Sequence, residues 1–550
     1  MNLKQEIARK IGVKEELILN SPKKEMGDFC FPCFSLAKER KLSPMIIASE
    51  IQKSLEEDAL IEKTEIVGGY LNFFLNKQIV GEKIFKEMKN LSLPQIGKGK
   101  VICIDYCSVN LAKYMHIGHF STTIIGESVA RIYESLGYKV IRINYVGDYG
   151  TPFGKMVVAY KLWGDKKELE EKGIDAVQNL YVKFCANENE ELLEKARFAS
   201  KQIEDKTGEE YEIYKWIIDI TIEETRRLVG RMNISFDDWR GESTYNNKMH
   251  KPLSEIAEAG LSKVENGATI YDMNEFGLGV CVLKRSDGAT LYITRDLAAV
   301  EDRYNLYNFD EMLYVTASQQ NSHFAKLFKI CEVLKKPYAN KLKHVNYGMF
   351  SLPEGKIASR KGKQALFGDI LDEAEENARN AVKDRNLNEE QKESISKNVA
   401  MAAISFSILK VERIKDQVFD LEKAISFDGE TGPYLQYTYA RMNSLIKNYE
   451  AKYKTRENIL PEITDAVFDI LKTLNNYENT ILEAKENCEP SIISKMLITL
   501  CQNFNKYYNE NKIITDNELE SAGKINLVKL IKEKLGKAMN LVCITPVNEM

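Results

Sequence analysis

The sequence predicts an α/β protein: a parallel-sheet core with a helical insertion, preceded by an N-terminal α+β domain and followed by a C-terminal all-α domain. Three observations favour this class. A buried strand pattern, a long amphipathic helix and a second strand pattern succeed one another over residues 101–146. A charged helical stretch then separates them from further strands, and from about residue 375 the pattern is almost wholly helical. A chain of 550 residues also exceeds what a single core can organise.

Composition narrows the possible functions. The formal net charge is -4, so the whole molecule has no general attraction for nucleic acid or anionic membranes, and an RNA partner would need local basic patches. Neither a signal-peptide pattern nor a run of 18 apolar residues is present, which predicts no membrane helix. The ten cysteines are scattered, and Cys30 and Cys33 lack the second ligand pair of a zinc site. We therefore expect reduced thiols and a cytoplasmic location.

Residues 1–95 form the predicted N-terminal domain. In SPMIIASEIQKSL, Ser43 is placed to cap a helix whose first residue is Pro44. The segment EIVGGYLNFFLN (65–76) is dense in aromatic and β-branched residues and predicts a strand. LPQIGKGK (93–100) has the proline and glycines of a linker.

Residues 96–424 form the predicted domain with the parallel, nucleotide-binding sheet. The mostly apolar VICIDYC (101–107) predicts a strand buried on both faces, and a helix is expected from about His116 to Leu136, with Gly137 ending it. KVIRINYVGDYG (139–150) completes a βαβ unit of a Rossmann-like sheet. Residues 155–245 are predicted to be a helical insertion and residues 425–550 the α-helical domain. Strand-like patterns return in GVCVLKR (279–285), ATLYITRD (289–296), EMLYVTAS (311–318) and HVNYGMF (344–350).

The segment KYMHIGH (113–119) holds two of the five histidines, His116 and His119, where the first core strand leads into its helix. Ligands of open α/β sheets bind at the carboxyl ends of the strands, and a helix N-terminus favours phosphate there. Imidazoles can donate hydrogen bonds to phosphate oxygens, and Gly118 has no side chain to obstruct a nucleotide. A metal site and two structural histidines are the alternatives. We predict no metal site, because no third ligand accompanies the pair at ligand spacing.

Longer motifs carry a resemblance. SVNLAKYMHIGHFSTTIIGESVARIYESLGYKVIRINYVGDYGTPFG (108–154) resembles the arginyl-tRNA synthetases, a family of class I aminoacyl-tRNA synthetases. LYITRDLAAVEDR, LYVTASQQNSHF, GKIASRKG and FDGETGPYLQYTYAR follow in the family's order, so the resemblance covers nearly the whole chain. It implies ATP-dependent ligation of L-arginine to its cognate tRNA(Arg) through an arginyl-adenylate. It also implies ATP with Mg²⁺, a monomer, an N-terminal domain that contacts tRNA and a C-terminal domain that binds the anticodon.

The resemblance assigns a set of arginine-binding residues. Asp296 is implied to hold the guanidinium, a planar fork that a carboxylate meets bidentately. Tyr292 precedes Asp296 by four residues, a spacing that on a helix places both side chains on one face. The remaining implied arginine contacts, toward its amino and carboxylate groups or its side chain, are Ser108, Val109, Asn110, His119 and Gln320.

The resemblance also assigns residues to ATP and to the departing pyrophosphate. His116, Gly118, His119 and Lys356 are implied to bind ATP. KIASR (356–360) is similar to the family's KMSKS loop, but Ser359 stands where its second lysine belongs. Arg360, Lys361 or Lys113 is therefore expected to supply the missing charge, unless the segment is only a solvated basic loop. Four other departures are Val109 and Tyr114 for prolines, Asp105 for a glutamate and Tyr149 for a tryptophan.

Two other functions stay open at this level. A smaller nucleotidyltransferase would share the histidine motif, but it would not explain the Tyr292–Asp296 pair or the helical C-terminus. A synthetase-like RNA-binding protein without activity would explain Ser359 and the altered SVN triplet. NFNKYYNENK (503–512) and residues 434–441 mix aromatic and basic residues, which suits either single-stranded RNA or helix packing.

Overall fold

The N-terminal domain is a four-stranded antiparallel sheet covered by helices. A computed structural model describes residues 2–55, 58–111, 113–286, 292–353, 366–385 and 387–550. The sheet order is β1-β2-β4-β3. The elements are α1 (Leu3–Ile11), β1 (Leu19–Asn20), β2 (Phe29–Pro32), α2 (Phe34–Arg40), α3 (Pro44–Ser54), β3 (Ile61–Val67), β4 (Tyr70–Leu75) and α4 (Lys77–Lys89).

Two predictions in this domain are confirmed. Ser43 caps α3 as expected, because its hydroxyl accepts a hydrogen bond from the Ile46 N–H at 3.3 Å. The strand character predicted for residues 65–76 is also present, divided between two strands. The chain turns at Gly68 and Gly69, which have φ values of 57° and 84°, and pairs β3 with β4 in a hairpin. Two consecutive glycines at positive φ suit a tight hairpin turn.

The central domain is built on the parallel sheet β11-β10-β5-β6. Strands β5 and β6 flank helix α5 as the predicted βαβ unit, and the predicted insertion consists of α6 to α10. In chain order the elements are β5 (Val101–Asp105), α5 (Gly118–Ser135), β6 (Lys139–Ile143), α6 (Thr151–Trp163), α7 (Lys166–Lys172), α8 (Ile174–Ala186), α9 (Glu190–Asp205), α10 (Gly208–Arg231), α11 (His250–Glu258), β7 (Ser262–Glu265), β8 (Ala268–Asp272), β9 (Val280–Lys284), α12 (Tyr292–Tyr307), β10 (Glu311–Tyr314), α13 (Asn321–Val333), β11 (Leu342–His344), β12 (Phe350–Ser351), α14 (Phe367–Val382), α15 (Glu389–Leu409), β13 (Gln417–Val418) and α16 (Leu421–Ala424).

The strand-like prediction for ATLYITRD is wrong from Tyr292 onward, where α12 begins. Ile293, Leu297 and Val300 are buried at helical spacing, and this periodicity outweighs the β-branched composition of the first residues. Tyr292 and Asp296 therefore lie one turn apart on the same helix.

The C-terminal domain is wholly helical and packs behind α5. The Ser128 hydroxyl donates to the Leu541 carbonyl at 2.6 Å, and Arg131 Nη1 donates to the Asn540 carbonyl at 3.0 Å. Residues 540 and 541, near the C-terminus, are thus hydrogen-bonded to α5. The helices are α17 (Gly432–Lys452), α18 (Asp465–Asn475), α19 (Tyr477–Asn487), α20 (Ser491–Glu510) and α21 (Glu518–Leu541).

The segment NFNKYYNENK lies on the end of α20. Phe504 and Tyr507 are buried there, which supports helix packing rather than RNA stacking for these two rings. Asn505 accepts a hydrogen bond from Arg441 at 2.6 Å. Among the described residues, no helix is both long and apolar enough to cross a membrane. All ten cysteines lie within the described residues as free thiols.

Candidate active site

The carboxyl end of β5 carries a strained turn that leads toward α5. Cys107 and Ser108 have φ values of 71° and 45°, a left-handed conformation that costs non-glycine residues energy. Ser108 holds the turn by donating from its hydroxyl to Asp105 Oδ1 at 3.0 Å. Val109 is buried and its carbonyl accepts from the Gly147 N–H, whereas Asn110 is exposed next to Gly147. Val109 therefore faces the core, and Asn110 is the member of this triplet at the surface.

His116 and His119 lie against each other at the start of α5, with ring centroids 4.2 Å apart. The His116 backbone N–H donates to His119 Nδ1 at 3.0 Å, and the Gly118 N–H donates to His116 Nδ1 at 3.1 Å. His116 Nδ1 accepts from the backbone, so the neutral His116 ring carries its proton on Nε2, whereas His119 Nδ1 lies 3.0 Å from the His116 N–H and 3.3 Å from the His116 carbonyl. The backbone of the motif thus orients both rings and sets the tautomer of His116.

Burial keeps this histidine pair uncharged. Burial lowers the pKa of His119 to about 4, and the charge of His116 adds to the effect. Burial also lowers the pKa of His116, assisted by Lys113, which is exposed nearby. At neutral pH both imidazoles are hydrogen-bond donors without a net charge.

Gly118 leaves room for the ring of His116. A Cβ at this position would lie 3.0 Å from His116 Cε1 and 3.1 Å from its Nδ1. The space freed by this glycine is therefore occupied by the His116 ring, and approach of a nucleotide to Gly118 stays a prediction.

An acidic cluster of Asp105, Glu242 and Asp296 lies at the same edge of the sheet. Burial raises the pKa of Glu242 to about 7, an effect that neighbouring Asp296 strengthens and Arg295 opposes. Burial also raises the pKa of Asp105, opposed chiefly by Arg303 and strengthened by Asp296. Mutual repulsion and desolvation make this cluster receptive to a cation.

Resident cations already pair two members of the acidic cluster. Arg303 Nη1 is 2.8 Å from Asp105 Oδ2, and this guanidinium is buried. Arg295 Nη1 is 2.9 Å from Glu242 Oε2, and its guanidinium lies over the Tyr149 ring at 4.4 Å. Tyr149 thus supplies the aromatic face at the position where the resemblance leads one to expect tryptophan.

Asp296 has a different partner. Its Oδ2 accepts a hydrogen bond from His323 Nε2 at 2.6 Å. Tyr292, one turn earlier on α12, is 66% exposed, and Gln320 ends a short 3₁₀ helix (Ser318–Gln320) after β10 with its side chain also exposed. Tyr292 is therefore solvent-accessible on the helix that carries Asp296, and Gln320 is solvent-accessible directly before α13, the helix that carries His323.

Three predicted cations, Lys356, Arg360 and Lys361, lie outside the described residues. The residues that follow them return to the histidine motif. Leu366 forms an antiparallel bridge with His116, and the Phe367 N–H donates to the Met115 carbonyl at 3.0 Å. Phe367 also stacks on Phe120 with centroids 3.8 Å apart.

Glu242 and His323 are site residues that the sequence alone did not indicate. A single glutamate in GESTYNN resembles many surface carboxylates, and α12 and the Glu242–Lys248 3₁₀ helix meet only in the folded chain. His323 stood inside the quoted motif LYVTASQQNSHF but had no assigned role. Its position at the start of α13, facing α12, is what gives it one.

Comparisons with known proteins agree with the geometry. Residues 82–421 match the family of class I tRNA synthetases (R), catalytic domain, residues 435–550 the DALR anticodon binding domain, and residues 2–75 the arginyl tRNA synthetase N-terminal domain. The arginine–tRNA ligase of Halothermothrix orenii is 39% identical over 98% of this chain and 96% of that protein. The one from Clostridioides difficile is 38% identical over 96% of this chain and 94% of that protein.

The fold has solved counterparts. Thermus thermophilus arginyl-tRNA synthetase superposes with a TM-score of 0.81 at 24% identity, covering 100% of this chain and 98% of that one. The Plasmodium falciparum arginyl-tRNA synthetase gives the same TM-score at 20% identity, again over 100% and 98% of the two chains. These likenesses establish the three-domain fold. Together with the family matches, which span almost the whole sequence, they show that the chain belongs to the arginyl-tRNA synthetase family of class I aminoacyl-tRNA synthetases.

Proposed function

We propose that this protein ligates L-arginine to its cognate tRNA with ATP, through an arginyl-adenylate. The observation that carries the proposal is that a cation-receptive acidic cluster and a pair of neutral histidines both lie beyond the carboxyl end of β5, since Asp105 ends that strand and the histidines stand at the start of the helix that follows it. One end suits a guanidinium and the other suits phosphates. A smaller nucleotidyltransferase does not account for the acidic cluster or the three matched domains.

The arginine side chain is proposed to enter between α12 and α13. Asp296 is the principal guanidinium ligand, with Tyr292 and Gln320 beside it and Glu242 as a second carboxylate. Ser108, Val109, Asn110 and His119 are proposed to surround the amino and carboxylate groups, Val109 through its backbone because its side chain is buried. A pocket of paired polar groups rejects lysine or citrulline, because a poorly fitting side chain leaves a carboxylate unpaired.

The first step is attack of the arginine carboxylate on the α-phosphorus of ATP, which forms the acyl-phosphate bond and releases pyrophosphate. A carboxylate needs no general base, so the protein's contribution is to position the reactants and stabilise developing phosphate charge. His116 and His119 are proposed to donate from Nε2, without the hydration cost of a full charge. Lys113, Lys356, Arg360 and Lys361 are the proposed cations for the pyrophosphate.

The second step transfers the arginyl group to the terminal adenosine of tRNA(Arg), at the 2′-hydroxyl in a class I enzyme, and releases AMP. The helices of residues 425–550 are proposed to bind the anticodon end and residues 1–95 another part of the tRNA, with residues 96–424 as the catalytic domain and 155–245 as its insertion. We further propose a cytoplasmic monomer, in keeping with its free thiols.

Mg²⁺ is proposed to arrive with ATP as part of the substrate. The described residues contain no group of three metal-binding side chains. Mg²⁺ commonly keeps its waters and is held by substrate phosphates, so such a cluster is not needed. No step is assigned to the ion here.

The test is ATP–pyrophosphate exchange together with charging of tRNA, using arginine and, as the control amino acid, lysine. Exchange and charging with arginine alone are expected. Omitting deacylated tRNA decides whether activation depends on it, as the family resemblance leads us to expect. Folded protein that binds tRNA(Arg) but shows neither reaction would overturn the proposed function in favour of a non-catalytic RNA-binding protein.

A further inference from the structure

His323 forms a hydrogen bond with Asp296, the proposed arginine ligand. Its Nε2 is 2.6 Å from Asp296 Oδ2, and the two side chains are 28% and 19% exposed. This is a short hydrogen bond between partly buried groups from two different helices, α12 and α13. The pair therefore fixes the geometry of the pocket across a helix–helix junction.

Asp296 differs from Asp105 and Glu242 in the type of side chain that binds its carboxylate. Asp105 and Glu242 are each bound by a guanidinium, which is permanently charged. Asp296 is bound by an imidazole, which donates one hydrogen bond in its neutral form. An imidazole can thus orient this carboxylate through a single hydrogen bond, in contrast to the guanidinium groups on Asp105 and Glu242.

The imidazole is itself held in place. His323 packs edge-on against Phe324, with ring centroids 5.2 Å apart, and Phe324 is buried against His344 at 4.5 Å. Burial lowers the pKa of His344 to about 4, and Arg413 and His323 add to the effect. His344 is thus uncharged at neutral pH and does not compete as a cation for Asp296.

Hydrogen-bond counting leaves room for the substrate. An ionised carboxylate offers about four lone-pair sites, of which His323 uses one on Oδ2. No other described residue donates to this carboxylate, so within the described part of the chain Oδ1 and the second site of Oδ2 remain, which is what a bidentate guanidinium requires. His323 and arginine can therefore bind Asp296 at the same time.

We propose that His323 is a positioning residue for arginine recognition: by holding Asp296 Oδ2 it fixes the carboxylate plane that receives the substrate guanidinium. The inference rests on the proposed function and deepens it. His323 does not touch the reacting atoms, so its effect falls on arginine binding rather than on the chemical step.

The test compares His323→Ala with His323→Gln. The Gln Nε2 can take the place of the imidazole Nε2 as a donor, so it is the conservative variant, whereas alanine removes the donor. In H323A we expect KM for arginine in pyrophosphate exchange, and Kd in calorimetry, to rise about 10- to 100-fold, the range found when a supporting hydrogen-bond partner is lost. We expect KM for ATP and kcat to change less than about threefold and H323Q to recover most of the affinity. His250→Ala, at an exposed histidine on α11, is the control.

Each outcome separates this inference from the proposed function. Unchanged arginine affinity in H323A overturns the inference while leaving the enzyme intact. Tighter arginine binding in H323A would show that the imidazole competes with the substrate, and an equal rise in KM for ATP, without rescue by glutamine, would show a merely structural role. If H323A fails to fold, the comparison of H323Q with His323→Asn, whose donor is one bond shorter, carries the test. A wild-type protein that binds arginine but charges no tRNA would contradict the proposed function instead.

Discussion

The two ends of the candidate site stabilise opposite charges by different means. At the acidic cluster, a buried carboxylate, Asp105, and two partly buried ones, Glu242 and Asp296, lie close together, and Arg295 and Arg303 pair two of the three. At the histidine motif, burial removes charge from His116 and His119, and their orientation comes from backbone N–H groups. The acidic cluster thus keeps negative charge that can attract a cation. The histidine motif instead offers neutral hydrogen-bond donors at a helix N-terminus, which suit phosphates. Substitutions at the two ends should therefore affect arginine and ATP differently.

The strongest effect is expected from Asp296→Asn. The variant removes the charge that faces the guanidinium but preserves the shape of the side chain. We expect kcat/KM for arginine to fall about 1,000-fold, close to 4 kcal/mol, with KM for ATP unchanged. Steady-state pyrophosphate exchange with each substrate varied in turn measures both. Asp302→Asn on the same helix, where the carboxylate pairs with Arg240 instead, is the matched control. A parallel rise in KM for ATP would mean that the two ends are not separate.

His116→Ala tests the other end of the site. Loss of one preorganised donor to a developing phosphate charge is expected to lower kcat about 100-fold. KM for arginine should stay within about twofold, which is the reverse of the pattern expected for D296N. The assay is again pyrophosphate exchange, with His250→Ala as the control. A fall in arginine affinity equal to the fall in kcat would contradict the division of roles.

A pH dependence is expected from Glu242, whose pKa of about 7 lies above the ordinary value of 4.5. Arginine binding needs the ionised carboxylate, so KM for arginine should fall about tenfold between roughly pH 6 and pH 8. Glu242→Gln should remove this pH dependence of KM.

The free energy of unfolding should change with pH in the opposite sense. A raised carboxyl pKa favours the folded state at low pH, and this contribution is lost as pH rises from about 4.5 through 7. Thermal denaturation should therefore show E242Q gaining stability relative to wild type across that interval, and a parallel pH profile would contradict the assignment.

The smallest effect is expected from Gly118→Ala. The added Cβ would crowd the His116 ring at about 3.0 Å, and a displacement of this size costs about 1 kcal/mol or an approximately fivefold loss of kcat. Gly230→Ala on α10 is the matched control, because a Cβ there meets none of the described atoms within 4 Å. Equal activity of the two variants would show that the glycine does not serve the histidine pair.

Short sequence patterns predicted the features of the candidate site that lie in one continuous stretch of the chain. The βαβ unit follows from apolar periodicity, and the histidine pair stands where β5 leads into α5. The pocket around Asp296 depends on long-range packing instead. Glu242 reaches it from a segment 54 residues earlier in the sequence, and His323 from one 27 residues later. No periodicity or spacing marks such a meeting, so these residues emerge only from the fold.

The wrong strand prediction for the start of α12 has a related cause. ATLYITRD is rich in β-branched and aromatic residues, a composition that favours a strand when the segment is taken alone. The buried positions Ile293, Leu297 and Val300 continue at helical spacing beyond it, and packing against the sheet selects the helix. Tertiary packing thus decided a segment whose local composition favoured the other structure.

The decisive measurement is a crystal structure of the protein with bound arginine. We expect both guanidinium nitrogens of one edge at about 2.8 Å from the Asp296 carboxylate, with the His323–Asp296 hydrogen bond still present and the arginine carboxylate directed toward the histidine motif. A guanidinium bound away from Asp296, or a His323 ring displaced by it, would show that these two residues do not form the arginine site.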